Sequence, residues 1–378
     1  MKLNDIAEFV TDKISSSSIS LDRYVTTDSL LQNRRGRETA QNLPPMPCAL
    51  THYRQGDVLV ANIRPYLKKV WYADSEGGCS SDVLVFRAKN GHCSSFLYTV
   101  LMQDAFFNYA MSGAKGSKMP RGDKDQIMRY ELPTLTPMEE ENIGNMMVDI
   151  MSKINVNRQI NDNLEAMAKQ LYDYWFVQFD FPNEEGKPYK SSGGAMVWND
   201  KLKREIPKEW MASNYTDLFT IGNGQTMPQN EGLVPAYGGN GIVKMVEISN
   251  YPACIIIGRV GANCGSIHYS KVPCWVSDNA ISICSKNDDW QPFLFYSLKL
   301  YNLSKNKGGS SQPLITHEAL KHLYFPMSEK HINQFCHIVN ELQDLIYSNQ
   351  QEILKLTKQR DELLPLLMNG QATVNYHL

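Results

Sequence analysis

A long amphipathic helix is predicted over residues 137–180, because apolar residues recur there at alternating spacings of four and three. The start is specified locally: Thr136 can cap the helix, Pro137 takes the first helical position, and Glu139 can close a capping box. Two asparagines lie near the middle of the seam. Its members are Ile143, Met147, Ile150, Ile154, Asn157, Asn161, Leu164, Ala168, Leu171 and Trp175.

A second helix of the same period is predicted over residues 328–370, with Ser328 as a cap and Gly370 where a C-terminal cap belongs. An asparagine at a core heptad position costs stability but fixes register and partner. We therefore interpret the two helices as an antiparallel coiled coil; the alternative is that each packs only on its own domain. The second seam comprises Ile332, Phe335, Val339, Leu342, Ile346, Asn349, Ile353, Leu356, Arg360, Leu363 and Leu367.

The remaining chain shows short apolar runs of strand length, which predict an α+β fold. Strands are expected at residues 57–61, 81–86, 253–260, 265–269 and 280–284, and shorter helices at 94–109 and 290–303. Residues 180–208 are polar and indicate a linker or exposed loop. We expect one globular domain over residues 1–136 and a linker with a second domain over 181–327. The two long helices follow these domains, and residues 371–378 form a tail.

The chain repeats itself at an offset of 193 residues. Gly116 to Pro120 and Gly309 to Pro313 are glycine- and serine-containing loops, each followed thirteen residues later by a proline and then by a long helix. Further upstream, an apolar run with a nearby arginine, Arg64 or Arg259, precedes a Ser-Asp pair. So long a repeat exceeds a solenoid unit and predicts two similar domain-plus-helix modules related by a pseudo-twofold axis. Such a protein suits a target that is itself double.

Composition adds few constraints. The chain has 378 residues with 42% hydrophobic and 21% charged residues, and its formal net charge of −2 neither demands nor excludes nucleic acid. The sequence contains no apolar run of membrane-spanning length and no N-terminal secretory signal, so we expect a cytoplasmic protein. Cys254, Cys264, Cys274 and Cys284 lie ten residues apart, a spacing that does not match structural zinc sites. Reduced cysteines and no metal are therefore expected.

The sequence also lacks the motifs of common catalytic sites. We find no Walker A loop, no Gly-x-Ser-x-Gly elbow, no His-Glu-x-x-His and no acidic cluster for a nuclease metal. An amino-methyltransferase needs an Asn/Asp-Pro-Pro-aromatic site, and only Asn42-Leu43-Pro44-Pro45 comes near it. No catalytic residue and no cofactor are therefore assigned to this chain.

Donor-rich loops remain as the candidate chemistry. Lysine and arginine supply phosphate contacts, while arginine, asparagine and glutamine can read base edges in the major groove. For any one such residue a solvated charge is the simpler interpretation, but both repeats carry these loops at equivalent places. The candidate DNA-binding residues are Arg64, Lys68, Lys69, Lys115, Ser117, Lys118 and Arg121 in the first repeat, and Arg259, Lys305, Asn306, Lys307, Ser310 and Gln312 in the second.

The chain resembles the specificity subunits of type I restriction-modification systems over nearly its whole length. The resemblance rests on the repeat and on the segments around the helices. These are Leu132 to Glu141, Tyr174 to Pro182, Gly186 to Lys190, Leu202 to Trp210 and Lys358 to Gly370. One departure is that the family often has Glu-Gln near the start of each helix, where this chain has Glu140-Glu141 and Lys330-His331.

The resemblance implies a noncatalytic subunit with two target recognition domains, each reading half of a bipartite DNA site, held apart by the antiparallel coiled coil. It implies docking of two methyltransferase subunits, which would bind S-adenosylmethionine, and of motor-nuclease subunits, which would bind ATP and magnesium. Two other classes of function stay open at this stage. The chain could be a fused DNA modification enzyme with unrecognised motifs, or a coiled-coil scaffold that binds only proteins.

Overall fold

The computed structural model describes residues 1–116, 118–214, 217–261, 263–301, 303 and 314–374. These residues form an α+β fold, as the sequence predicts, and divide into two compact units. Unit 1 comprises Met1–Gln159 and Gln350–Leu378, and unit 2 comprises Ile160–Asn349. Each unit therefore contains one part of each long helix. No helix in the described ranges combines the length and apolar character that a bilayer crossing requires.

Within its described residues, unit 1 holds eight strands and four short α-helices before the first long helix, α5 (Pro137–Tyr172). The strands are β1 (Ala7–Phe9), β2 (Lys13–Ser15), β3 (Tyr24–Val25), β4 (Ala49–Tyr53), β5 (Val58–Ala61), β6 (Val70–Tyr72), β7 (Gly77–Cys79) and β8 (Val83–Ala88). The helices are α1 (Leu3–Ile6), α2 (Ser94–Leu101), α3 (Asp104–Ser112) and α4 (Lys124–Ile127). The prediction of a single helix over residues 94–109 is therefore wrong. The backbone of Gln103 is extended, so α2 ends before it and α3 begins after it.

Among the described residues, unit 2 has more strands than unit 1, and the last long helix, α8 (Glu329–Met368), starts within it. Its strands are β9 (Met196–Asn199), β10 (Arg204–Pro207), β11 (Met211–Asn214), β12 (Phe219–Asn223), β13 (Val234–Gly238), β14 (Gly241–Val246), β15 (Cys254–Gly258), β16 (Ile267–Ser270), β17 (Trp275–Val276), β18 (Ala280–Ser285) and β19 (Tyr324–Met327). Its short helices are α6 (Gln291–Leu300) and α7 (His317–Lys321).

The main sheets of the two units share strand order and register. Unit 1 has the order β1-β8-β5-β6 and unit 2 the order β12-β18-β15-β16, all antiparallel. In unit 1, Val58 pairs with Phe86 on one side and with Tyr72 on the other. In unit 2, the same three places are taken by Ile255, Ile283 and Tyr269. Each paired residue of β5, β6 and β8 has its equivalent in unit 2, which lies 197 positions later in the chain. Val58 thus corresponds to Ile255, and Phe86 corresponds to Ile283.

Each main sheet buries an apolar face, and part of each long helix completes the core. In unit 1 the cluster joins β5, β8 and α2 to the first part of α5 and the last part of α8, including Ile143, Met147, Leu364 and Leu367. Gly144 on α5 meets Ser95 and the start of α2 so closely that no side chain fits there. In unit 2 the cluster is strongly aromatic, with Tyr172, Phe176, Phe293 and Phe335 in ring contact.

The cap residues that the sequence predicts are present at the start of α5 and at the end of α8. Thr136 caps α5 with a closed capping box, because the Glu139 N–H bonds Thr136 Oγ1 (3.3 Å) and the Thr136 N–H bonds Glu139 Oε2 (2.8 Å). The α-helix ends at Tyr172, and a π-helical turn, Asp173–Val177, continues it. Beyond α8, Gly370 adopts a left-handed φ of +67°, which favours glycine.

The long helices run antiparallel within each unit. In unit 1, Asn157 Nδ2 donates to Glu352 Oε2 (2.7 Å) and the Arg360 guanidinium contacts Met151 Sδ (3.5 Å). In unit 2, Asn349 Nδ2 donates to Asn161 Oδ1 (2.9 Å). The seam asparagines therefore bond across the helix pair in both units.

Candidate nucleic-acid interface

The candidate residues of unit 1 cluster on two connections that hydrogen bond to each other. The first is the turn between β5 and β6, residues 62–69, which contains a 3-10 turn, Pro65–Leu67. The second is the loop before α4, residues 115–122. The Arg64 N–H bonds the Pro120 carbonyl (2.8 Å), and the Gly122 N–H bonds the Asn62 carbonyl (3.2 Å). The structure thus brings the two donor-rich segments into one surface, which we call the unit 1 loop surface.

Lys68 and Lys69 direct their ammonium groups inward. Lys68 Nζ forms an ion pair with Asp104 (2.8 Å) at the start of α3, and Lys69 Nζ donates to the Thr27 carbonyl. Burial, the largest cause, lowers the pKa of the half-buried Lys69. Both residues hold the turn in place, so any DNA contact by them would require breaking these bonds.

Arg121 and Lys115 each have an acidic neighbour but stay largely exposed. The Arg121 guanidinium lies 2.9 Å from Asp82, and Lys115 Nζ lies 3.3 Å from Asp123. A backbone hydrogen bond from Gln126 first, and then the bond from Lys115, keep the pKa of Asp123 below its usual value. Exposed ion pairs contribute only ~0–1 kcal/mol, so an approaching phosphate can replace either carboxylate.

Lys118 and Arg64 are the candidates whose charged groups face solvent without a partner in the described part of the chain. Both residues are exposed, and neither side chain forms a hydrogen bond or ion pair there. Ser117 lies between Gly116 and Lys118 but outside the described residues. These two cations are the most readily available donors of the unit 1 loop surface.

Sequence reasoning missed a third segment of this surface, the turn at residues 33–36. The Asn33 N–H bonds the Leu67 carbonyl and the Arg34 N–H bonds the Lys68 carbonyl, both at 2.9 Å. The buried Arg34 guanidinium bonds the Met102 carbonyl and Asp104, while Arg35 is exposed. The run Asn33-Arg34-Arg35-Gly36-Arg37 is the signal that could have identified it. Tyr66 on the turn between β5 and β6 is 50% exposed and is not among the predicted DNA-binding residues.

Only one candidate of unit 2 lies within the described residues. Arg259 is half-buried; its N–H bonds the Asn279 carbonyl (2.9 Å) and its carbonyl accepts from the Ile315 N–H (3.1 Å). The equivalent backbone bond in unit 1 is made by Asn62 to the Asp82 carbonyl (2.9 Å), so Arg259 corresponds to Asn62 rather than to Arg64. Lys305, Asn306, Lys307, Ser310 and Gln312 lie outside the described residues. Leu314, the next described residue, forms an isolated β-bridge with Val260.

Two cysteines of unit 2 lie in its core. Cys254 and Cys274 bring their Sγ atoms to 3.5 Å within an apolar cluster. Throughout the described ranges, His, Cys, Asp and Glu do not gather in groups of three or more that could hold a metal ion. The residues described here thus offer cations and hydrogen-bond donors on loops.

A cavity of about 590 Å³ in unit 2 lies between the start of α8 and the segment after α5. Its wall includes His331, whose ring contacts Phe181 at 4.0 Å between centroids and whose Nδ1 lies 2.8 Å from Ser328 Oγ. Burial, with a smaller effect of the Lys330 charge, lowers the pKa of His331 to about 4. The imidazole is therefore neutral at neutral pH.

Comparisons with known proteins agree with the fold. Residues 207–363 match the family model described as type I restriction modification DNA specificity domain. The chain is 24% identical over 369 residues to the type I restriction enzyme MjaIX specificity subunit of Methanocaldococcus jannaschii, covering 90% of this chain and 83% of that protein. It is 23% identical over 185 residues to the HindI specificity subunit of Haemophilus influenzae, covering 47% of this chain and 40% of that protein.

A solved structure, the S subunit of a type I restriction-modification system from M. genitalium, superposes with a TM-score of 0.65. The match covers 97% of this chain and 95% of that one at 16% sequence identity. At this identity the likeness establishes the shared fold.

Proposed function

Because the chain belongs to the family of type I restriction-modification specificity subunits, we propose that each compact unit reads one half of a bipartite DNA sequence. The observation that carries this proposal is the repeated main sheet, with the same strand order and register in both units. Two sheets of equal construction suit two short DNA segments read separately.

In this proposal residues 1–136 and 181–327 are the two target recognition domains. Residues 137–180 and 328–370 are the helices of an antiparallel coiled coil, and residues 371–378 are its tail. The interhelical bonds of Asn157 in unit 1 and Asn161 in unit 2 support that pairing, since polar seam residues fix register and partner. The donor loops of both repeats, including residues 305–312, would face DNA.

The chain would act without catalytic residues of its own. Two methyltransferase subunits would dock on it and supply S-adenosylmethionine chemistry, and motor-nuclease subunits would add the ATP- and magnesium-dependent restriction activity. Family membership supports these partners. The donors on the unit 1 loop surface support a role in DNA contact, because lysine and arginine side chains on loops are the usual partners of phosphates and base edges.

The test is to assemble the chain with its methyltransferase subunits and map the methylated adenines on genomic DNA. We expect one bipartite motif with a nonspecific spacer. Replacing residues 1–136 by the equivalent domain of a related subunit should change one half of the motif and leave the other unchanged. Methyl transfer by the chain alone would favour a fused enzyme, and an assembly without sequence-selective DNA binding would favour a protein-only scaffold.

A further inference from the structure

The turn between β5 and β6 in unit 1 keeps two non-glycine residues in a conformation that favours glycine. Arg64 and Lys68 both have a φ of +52°. In unit 2 the turn between β15 and β16 has the left-handed residues Gly261 (φ +75°) and Gly265 (φ +91°). The register of the flanking strands makes these positions equivalent. At these two positions unit 2 has glycine, which adopts a left-handed φ without steric cost. Unit 1 has Arg64 and Lys68 there, and their side chains make the same conformation unfavourable.

The side chain of Lys68 has an evident role inside the protein. Its ion pair with Asp104 ties the turn to α3, and the buried Arg34 guanidinium bonds the same carboxylate. A glycine at this position would lose that connection. The strain at Lys68 is therefore offset by a contact within unit 1.

The side chain of Arg64 has no such role among the residues that the structure describes. It is exposed and forms no hydrogen bond or ion pair there, and its charge contributes to lowering the pKa of the neighbouring Lys69, after burial. Its backbone is nevertheless fixed, because the N–H bonds the Pro120 carbonyl and the carbonyl accepts from the Leu67 N–H (2.9 Å). A strained, rigid residue with an unused guanidinium points to a ligand outside the chain.

The neighbours of Arg64 indicate what that ligand is. Tyr66 on the same turn exposes half of its surface, and Arg35 on the adjoining turn is also exposed. The arginine fork matches the O6 and N7 acceptors of guanine in the major groove, and an apolar ring face matches a thymine methyl group. Fixing the turn in advance lowers the entropic cost of such contacts.

We propose that Arg64 reads a guanine in the half-site bound by unit 1, with Tyr66 packing on the neighbouring base and Arg35 holding a phosphate. This inference rests on the proposed function and deepens it, since it assigns base reading to Arg64 and a supporting role to Lys68. The other candidate lysine of the turn, Lys69, is not needed for it.

The experiment uses the chain assembled with its methyltransferase subunits and a duplex library in which each half-site is randomised in turn. Arg64→Gly removes the guanidinium while suiting the backbone, so the unfolding midpoint should be equal to that of the wild type or up to about 4 °C higher. Preference for guanine at one position of one half-site should fall roughly 5- to 150-fold, the range expected for one bidentate contact. Lys203→Gly is the matched control, because it also removes an exposed cation from a left-handed residue (φ +52°), on the turn between β9 and β10, and it should leave that preference in place.

Arg64→Lys provides a second readout that does not depend on glycine. The lysine keeps a positive charge on the left-handed backbone but lacks the planar guanidinium fork. The preference for guanine should therefore fall, while the dependence of affinity on salt stays the same.

Three results would overturn the inference. Base preferences in Arg64→Gly that match the wild type at every position would remove Arg64 from base reading while leaving the proposed function intact. A uniform loss of affinity across all sequences would make Arg64 a phosphate contact only. If the wild-type assembly itself showed no sequence preference, the proposed function would fail, and the inference with it.

Discussion

Replacing the paired seam asparagines of unit 2 by alanine, singly and together, measures how much their hydrogen bond stabilises the helix pair. Asn349 Nδ2 donates to Asn161 Oδ1 at 2.9 Å, and Asn161 is only 8% exposed. The bond lies between the last part of α5 and the first part of α8, both within unit 2. Its loss should therefore lower the free energy of unfolding of that unit.

The magnitude follows from the burial of the pair. A neutral hydrogen bond contributes about 1 kcal/mol net, and a buried group left without a partner costs about 1–3 kcal/mol. Asn349 is half-buried, so water can reach its amide and the lower end applies. Each single variant should lose about 1–2 kcal/mol. The double variant should lose about 1 kcal/mol less than the sum of the singles, because the bond can be removed only once.

Urea unfolding followed by tryptophan fluorescence suits this measurement. Five of the six tryptophans, all except Trp71, lie in unit 2, so the signal reports mainly on that unit. Asn163→Ala is the matched control, since Asn163 is exposed on the same helix and its replacement should change stability by no more than about 0.5 kcal/mol. Single-variant losses that simply add, with a coupling below about 0.3 kcal/mol, would show that the bond contributes nothing.

Three further predictions concern other sites. Acidification should destabilise unit 2 between about pH 6.5 and pH 4, because the pKa of folded His331 is lowered to about 4 and protons bind the unfolded chain preferentially. In urea unfolding measured at each pH, His331→Gln should lessen this loss of stability, and an unchanged pH dependence would contradict the assignment. Thr136→Ala should cost unit 1 about 1 kcal/mol by opening the capping box, whereas a calorimetric midpoint equal to that of the wild type would show the cap to be dispensable. Lys118→Ala should reduce the slope of log affinity against log salt by about one unit in the assembled complex, and equal slopes would place Lys118 away from phosphates.

Local signals in the sequence predicted much of the fold. The capping box at Thr136, the seam asparagines and Gly370 each depend on interactions within a few residues or on a strict period, and the structure contains all three. The prediction of one continuous helix over residues 94–109 was wrong, because no glycine or proline marks the break at Gln103. Apolar periodicity continues across such a break when two short helices face the same core.

The candidate interface was predicted less completely, for a physical reason. A lysine on a donor-rich loop has the same sequence signal whether its charge meets a phosphate or a carboxylate of the same chain. Lys68 is paired with Asp104 and Lys69 with a backbone carbonyl, contacts that arise only once distant segments pack together. The strain at Arg64 is likewise a property of backbone dihedral angles, which sequence alone does not show for a non-glycine residue.

The repeated register of the main sheets has a consequence for how target preference can diverge. The connection from β1 to β5 is longer than that from β12 to β15, yet the pairing of β5 and β15 with their neighbours is the same in both units. Changes of length are thus absorbed outside the strands, where they do not turn inward-facing residues outward. Under the proposed function, the two units can therefore accumulate loop substitutions and insertions independently, and new sequence preferences can arise without a new fold.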